Sequence, residues 1–170
     1  MRTLMVSLAA LALGAPAMAA PPIRNGGNLG LGLGATTSIV GLDTKYWMNP
    51  NLSFQALLGV YDIGRGFDDL ALGVDADVLV EVPLVDADDA FDLGLALGAG
   101  GVFASGANAD LDLVAGANLV VGIEGNIDAV PLDVVIDYRP TIWLLDDLDG
   151  LDDDFRLDFV ELGVHVRYWF

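Results

Sequence analysis

The sequence predicts an all-β chain: an eight-stranded antiparallel up-and-down transmembrane β-barrel. Apolar and polar residues alternate along most of the chain, which is the period of a strand with two different faces. Turn residues separate the alternating segments at a spacing typical of barrels. Beyond the amino-terminal region, no stretch of 18 apolar residues is free of glycine clusters or charges, so a membrane-spanning helix is not expected.

The clearest alternation lies in residues 160–170. One face is apolar or aromatic throughout: Val160, Leu162, Val164, Val166, Tyr168 and Phe170. The other is mostly polar or small: Glu161, Gly163, His165, Arg167 and Trp169. A tilted strand of about 9–11 residues crosses the hydrocarbon core of a bilayer. This segment is long enough to be such a strand.

Seven further segments alternate in the same way, which gives an even number of strands, as in single-chain bacterial barrels. The predicted strands are Leu29–Gly34, Val40–Met48, Leu52–Tyr61, Leu70–Pro83, Phe91–Phe103, Leu111–Glu124, Val130–Leu145 and Phe155–Phe170. Pro140 lacks a backbone donor, so it predicts a bulge or break in the seventh strand. The alternation changes phase near Asp158–Val160, which predicts a bulge in the eighth.

The connections alternate in length along the chain. With the amino terminus in the periplasm, the periplasmic turns are the short segments Asn49–Asn51, Val85–Ala90 and Gly125–Ala129. The external loops Asp62–Asp69, Ala104–Asp110 and Asp146–Asp154 are longer, although the first one, Ala35–Ile39, is short. Short periplasmic turns and longer external loops are typical of outer-membrane barrels.

Residues 1–20 are predicted to be a secretory signal peptide, and residues 21–170 the barrel domain. Arg2 supplies the positive start, Leu4–Leu13 the apolar segment and Ala17–Ala19 the small-x-small cleavage site. The chain is 54% apolar and 19% charged, which a membrane barrel reconciles by sending the two classes to opposite faces. A formal net charge of −18 argues against nucleic acid as a partner, and the absence of cysteine excludes disulfides and thiolate metal sites.

Charged residues at the alternate strand positions that face inward predict a network inside the barrel. Its expected members are Lys45, Asp75, Asp77, Glu81, Glu124, Asp137, Arg139, Glu161, His165 and Arg167. Because the interior of eight strands is just wide enough for side chains, we expect these residues to plug the lumen rather than to line an ion path. No cofactor and no metal site are predicted.

Catalysis is not expected. His165 is the sole histidine, and no motif places a candidate hydroxyl, Ser53 or Ser105, beside it. The acidic loop Asp146–Asp154 lacks the ligand spacing and closing glutamate of an EF-hand, so we interpret it as a solvated loop. A weak divalent-cation role at the lipopolysaccharide surface is the alternative hypothesis for that loop.

Two motifs carry a family resemblance. The layout resembles the small OmpA/OmpX-like outer-membrane barrels, and Gly41–Trp47 (GLDTKYW) and Arg167–Phe170 (RYWF) are similar to matching segments of a poorly characterised group of eight-stranded barrels. The resemblance implies that Val166, Tyr168 and Phe170 form the assembly signal read by the outer-membrane barrel assembly machinery. It implies no catalytic residues.

The sequence therefore predicts an integral outer-membrane protein of a Gram-negative-type bacterium, monomeric, in contact with lipid and lipopolysaccharide, with a structural or surface-interaction role. A small-solute or ion pore is the first alternative. The second is a soluble lipocalin-like carrier with the same strands but the apolar face inside, since alternation alone does not distinguish inside from outside.

Overall fold

The computed structural model describes residues 27–61, 71–86, 91–106, 113–127, 129–146 and 156–170. All regular structure in these ranges is β-strand. The segments are β1 (Leu29–Thr36), β2 (Ile39–Asn49), β3 (Leu52–Tyr61), β4 (Ala71–Asp86), β5 (Phe91–Gly106), β6 (Leu113–Ile127), β7 (Leu132–Tyr138), β8 (Thr141–Asp146), β9 (Arg156–Asp158) and β10 (Leu162–Trp169). The described residues contain no helix with the length and hydropathy needed to cross a membrane.

The strands form one closed antiparallel barrel, as predicted. Each segment from β1 to β6 pairs with the next, β6 pairs with both β7 and β8, and β1 pairs with β10 to close the ring. β7 and β8 are two parts of one interrupted strand, and so are β9 and β10. The ten segments therefore make an eight-stranded barrel.

The two interruptions lie side by side and match the predicted irregularities. β7 ends before Arg139 and Pro140, and β10 begins after a break at residues 159–161. The Arg139 backbone amide donates to the Glu161 carbonyl at 2.8 Å, which ties the two breaks together. The proline cannot donate to the ladder, which accounts for the break in its own strand. Both strands keep their neighbours across the breaks, but their pairing shifts by one residue, from Tyr138 with Leu162 to Thr141 with Asp158.

Several predicted turns are shorter than expected because hydrogen-bonded pairing continues into them. β1 and β2 leave a hairpin of two residues, Thr37 and Ser38, in place of the predicted loop 35–39. Thr36 Oγ1 accepts from the amides of Ser38 and Ile39, at 3.2 and 2.9 Å. Val85 and Asp86 belong to β4, and residues 125–127 belong to β6, rather than to turns.

The predicted signal peptide and loop 62–69 lie outside the described residues, as does most of the acidic loop Asp146–Asp154. Of that acidic loop, the described residue is Asp146, which ends β8.

The interior has three zones. At the end where β1 begins and β10 finishes, here called the termini end, Trp47 and Trp169 are buried with ring centroids 6.3 Å apart. Charged side chains fill the middle. At the opposite end lies an apolar cluster: Ile39, Leu57, Tyr61, Ala71, Val102, Ala104, Val114 and Trp143. The charged zone is thus covered at both ends by apolar and aromatic side chains.

Close approach of β2 and β3 requires glycine at their contact. Gly41 pairs with Gly59, and a Cβ on Gly41 would overlap the Leu58 carbonyl oxygen and the Gly59 Cα. Both obstacles are backbone atoms, so a rotamer change of a neighbouring side chain cannot relieve the overlap. The two strands would have to move apart.

Gly41→Ala is expected to destabilise the barrel by roughly 1–3 kcal/mol through this overpacking. The matched control is Gly125→Ala, where a Cβ would lie 3.9 Å from the nearest heavy atom, the Val134 carbonyl oxygen. The midpoint of thermal loss of the β-sheet circular dichroism signal measures both. Equal midpoints for the two variants would contradict the close packing at Gly41.

Candidate functional site

The charged middle zone is the candidate functional site. Among the described residues, it holds eight carboxyl side chains, each at most 3% exposed: Asp43, Asp75, Asp77, Glu81, Glu124, Asp133, Asp137 and Glu161. Four basic side chains lie among them, each at most 1% exposed: Lys45, Arg139, His165 and Arg167. All come from strand positions that alternation directs inward, or from the break beside Pro140 and the one before β10.

Lys45 holds two glutamates near the termini end. Its Nζ lies 2.7 Å from Glu81 Oε1 and also contacts Glu124 Oε2. Ser53 Oγ donates to Glu81 Oε1 at 3.0 Å. The ammonium also lies 5.0 Å from the centroid of the Trp47 ring, a cation–π distance. This ammonium therefore joins β2, β4 and β6 and packs under the tryptophan that covers the termini end.

Arg167 organises a second cluster. Its Nε donates to both oxygens of Asp133 at 3.0 and 3.1 Å. Its Nη1 donates to Gln55 Oε1 at 2.8 Å and lies 3.3 Å from Asp43 Oδ2. Trp169 Nε1 also donates to Asp133 at 3.1 Å. Arg167 thus connects β10 with β2, β3 and β7.

Arg139 binds three aspartates. Its Nε and Nη2 form a two-pronged contact with Asp137 at 2.8 and 2.9 Å. Its Nη1 donates to Asp75 at 2.9 Å and to Asp77 at 2.7 Å. Asn118 Nδ2 donates to the other oxygen of Asp75 at 2.9 Å. The planar guanidinium suits this arrangement because its donors point in several fixed directions.

His165 lies between the Arg167 and Arg139 clusters. Its Nδ1 is 3.2 Å from Asp43 Oδ2, and its Nε2 is 3.2 Å from Asp137 Oδ2. Next to this group, Thr141 Oγ1 lies 2.8 Å from Glu161 Oε2. Histidine therefore links charged side chains whose strands are far apart in the sequence.

The structure brings together all ten residues that the sequence predicted for the lumen. Two central members were missing from that prediction, Asp43 and Asp133. Both occupy strand positions that alternation directs inward, so the alternation pattern alone could have identified them. The pattern could not show that they bind Arg167, because that depends on how the strands are staggered around the barrel.

The hydroxyl and imidazole groups of the site are engaged with its carboxylates. No group of histidine, cysteine or carboxylate residues in the described ranges is arranged to hold a metal ion. Ser53 donates to Glu81, while His165 contacts Asp43 and Asp137. The arrangement can neutralise and orient buried charges, and it fills the space that a channel would need.

The residues predicted as an assembly signal lie on the outside. Val166 and Tyr168 are exposed on β10, and Phe170 follows them. The Tyr168 and Phe170 rings meet edge to face, with centroids 4.9 Å apart. Tyr46 lies exposed on the same end of the barrel, and Tyr138 is exposed towards the other end.

Comparison with models of protein families, with curated proteins and with solved structures gives no match. The family resemblance of the two motifs therefore stays a prediction, and the site has to be interpreted from its own geometry.

Replacing Arg139 by methionine is expected to destabilise the protein by roughly 3–5 kcal/mol, because buried carboxylates would lose their cation. Additional Asp75→Asn and Asp77→Asn substitutions should recover much of this loss, since Asp137 keeps its contact with His165. Urea unfolding of wild type, single and triple variants gives the free energies. A triple variant no more stable than the single one would show that charge pairing is not the cause.

Proposed function

We propose that this protein is an integral outer-membrane β-barrel with a structural or surface-interaction role and a lumen filled by polar side chains. The proposal is supported by the residues that the barrel wall places on its inner and outer faces. The closed barrel carries its charges inside and its large apolar side chains outside, which is the reverse of a water-soluble protein.

The outer surface supports contact with lipid. Large apolar side chains are exposed on every strand segment whose side chains are described, including Leu33 and Leu42 at 66% and Leu72 at 64%. A continuous apolar surface of this kind exceeds what monomeric soluble proteins expose. The described strands also form a ring without a free sheet edge, as a spanning structure requires.

Aromatic residues support the same orientation in a membrane. Tyr46, Phe91, Tyr168 and Phe170 lie outward near the termini end, and Tyr138 and Phe159 lie outward towards the opposite end. Outer-membrane barrels carry aromatic girdles at both interfaces. The lipocalin-like alternative needs an apolar interior and a charged exterior, and the described faces are the opposite.

The pore alternative is disfavoured by the packing. Charged side chains at most 3% exposed fill the middle of the barrel, and aromatic or apolar side chains cover both ends. Proton transfer along the network is also interrupted, because Arg139 and Arg167 do not release protons in proteins. A surface or structural role therefore fits better than conduction.

The first test is expression with the amino-terminal segment intact, followed by isolation of outer membranes. A closed membrane barrel resists denaturing detergent until it is heated, so unboiled and boiled samples should migrate differently on a gel. Recovery as a periplasmic protein without a mobility shift would sink the proposal.

A pair of arginine variants tests lipid contact directly. Leu42→Arg places a charge in the middle of the outer face and should cost roughly 2–4 kcal/mol in a bilayer. In water the same change at an exposed site would stay within about 0.5 kcal/mol. Thr37→Arg, in the exposed β1–β2 hairpin, is the control and should be neutral. Unfolding of the three proteins in lipid vesicles gives the comparison.

Planar bilayers test the pore alternative. We expect the purified wild-type barrel to insert without producing discrete conductance steps. Reproducible steps that depend on protein concentration would favour the pore and argue against a plugged lumen.

A further inference from the structure

We propose that His165 is a buried proton-binding site. Its imidazolium ring holds β2 and β7 together, and this contact weakens when the ring loses its proton. The inference concerns the interior alone. It is independent of whether the outer face meets lipid, so its failure would leave the proposed function untouched.

The contacts of the ring carry the argument. Each ring nitrogen lies 3.2 Å from a carboxylate oxygen, Nδ1 from Asp43 and Nε2 from Asp137. A neutral imidazole has one N–H and one lone pair, so it can donate to only one of these oxygens. The other nitrogen would then face a carboxylate with its lone pair. A ring protonated on both nitrogens carries a positive charge between the two carboxylates, which suits both ion-pair distances.

A neutral ring could accept from Arg139 Nη2 at Nε2, but that contact is 3.5 Å, longer than the 3.2 Å from Nε2 to Asp137 Oδ2, and Nη2 already donates to Asp137 at 2.9 Å. His165 is 0% exposed, so water cannot replace either carboxylate. On one side a Cβ at Gly34 of β1 would lie 2.7 Å from Nδ1, and on the other a Cβ at Gly163 would lie 3.0 Å from Nε2. The two glycines therefore leave just enough room for the ring between the strands.

Two guanidinium groups also face this region. Arg139 Nη2 lies 3.5 Å from His165 Nε2, and Arg167, two residues along β10, binds Asp43. Both are fixed positive charges that disfavour a third. The carboxylates outnumber them, however, because the described interior holds eight carboxyl groups against three such permanent cations, Lys45 included. An additional proton on the ring reduces this excess of negative charge.

Loss of the proton has a structural consequence. One of the two aspartates would face a lone pair, and the contact that joins β2 to β7 across the lumen would become repulsive. Asp137 would keep Arg139, and Asp43 would keep its 3.3 Å contact with Arg167. We therefore expect a looser barrel rather than an unfolded one.

The chain contains a single histidine, which makes the ring directly observable. The protein is made without a histidine tag, labelled with ¹⁵N-histidine and folded in detergent micelles. At pH 7.5, nitrogen–proton correlation spectra should show protons on both ring nitrogens. A spectrum with one unprotonated nitrogen at pH 7.5 would overturn the proposal.

The pH dependence of stability provides the second measurement. An unfolded histidine releases its proton near pH 6.5. If the folded barrel keeps that proton, folding takes up a proton above this pH, and the unfolding temperature must fall as the pH rises from 6.5 to 9. His165→Gln retains a neutral donor but cannot titrate, so its unfolding temperature should fall less. Identical pH profiles for the two proteins would contradict the proposal.

Asp43→Asn tests whether the carboxylate contacts, rather than burial in general, keep the proton on the His165 ring. This variant removes one of the two carboxylates that hold the ring, so the ring should release its proton at a lower pH than in wild type. Proton release at an unchanged pH would show that Asp43 does not hold the imidazolium. Because this measurement uses the ring signal, it remains informative even if His165→Gln fails to fold.

Discussion

The structure depends on the neutralisation of charges that the barrel wall directs inward. Arg139 shows the constraint most clearly, because one guanidinium binds Asp75, Asp77 and Asp137, which come from two non-adjacent strand segments. A buried carboxylate without a partner would cost several kcal/mol. The positions of the cations therefore decide which strands can approach each other across the lumen.

The break beside Pro140 belongs to the same constraint. Arg139 lies between β7 and β8, where its backbone amide donates to the Glu161 carbonyl and so continues the pairing of Tyr138 with Leu162. Arg139 points inward next to Asp137, two residues before it, as in a regular strand. At the break, Glu161 and Thr141 lie at the same level, where they hydrogen bond.

Sequence alternation predicted most of the fold because a strand in this barrel has one apolar outer face and one mostly polar interior face. It gave the number of strands, both irregular segments and the side to which almost every residue points. It placed strand ends less well, since residues such as Val85 and Ile127 extend the ladder through backbone hydrogen bonds that side-chain patterns do not encode. The strand positions predicted to face inward also carry more acidic than basic residues, so the acidic excess of the interior could be predicted.

Partners inside the lumen were beyond the sequence. Lys45 contacts Glu124, 79 residues away, and Arg167 contacts Gln55, 112 residues away. Alternation says that these residues point inward, but the stagger of the strands decides which of them meet. The same limitation explains why Asp43 and Asp133 were absent from the predicted network although their inward positions were evident.

A charged interior has an advantage that an apolar one lacks. A register shift of one residue between neighbouring strands turns every side chain to the wrong face, so alternation disfavours this shift whichever residues fill the interior. A slip of two residues keeps the faces, and an apolar filling would tolerate it. Here it would separate Arg167 from Asp133 and Lys45 from Glu81, leaving buried charges unpaired. The network thus selects one stagger, and with it one barrel, at the cost of burying charges.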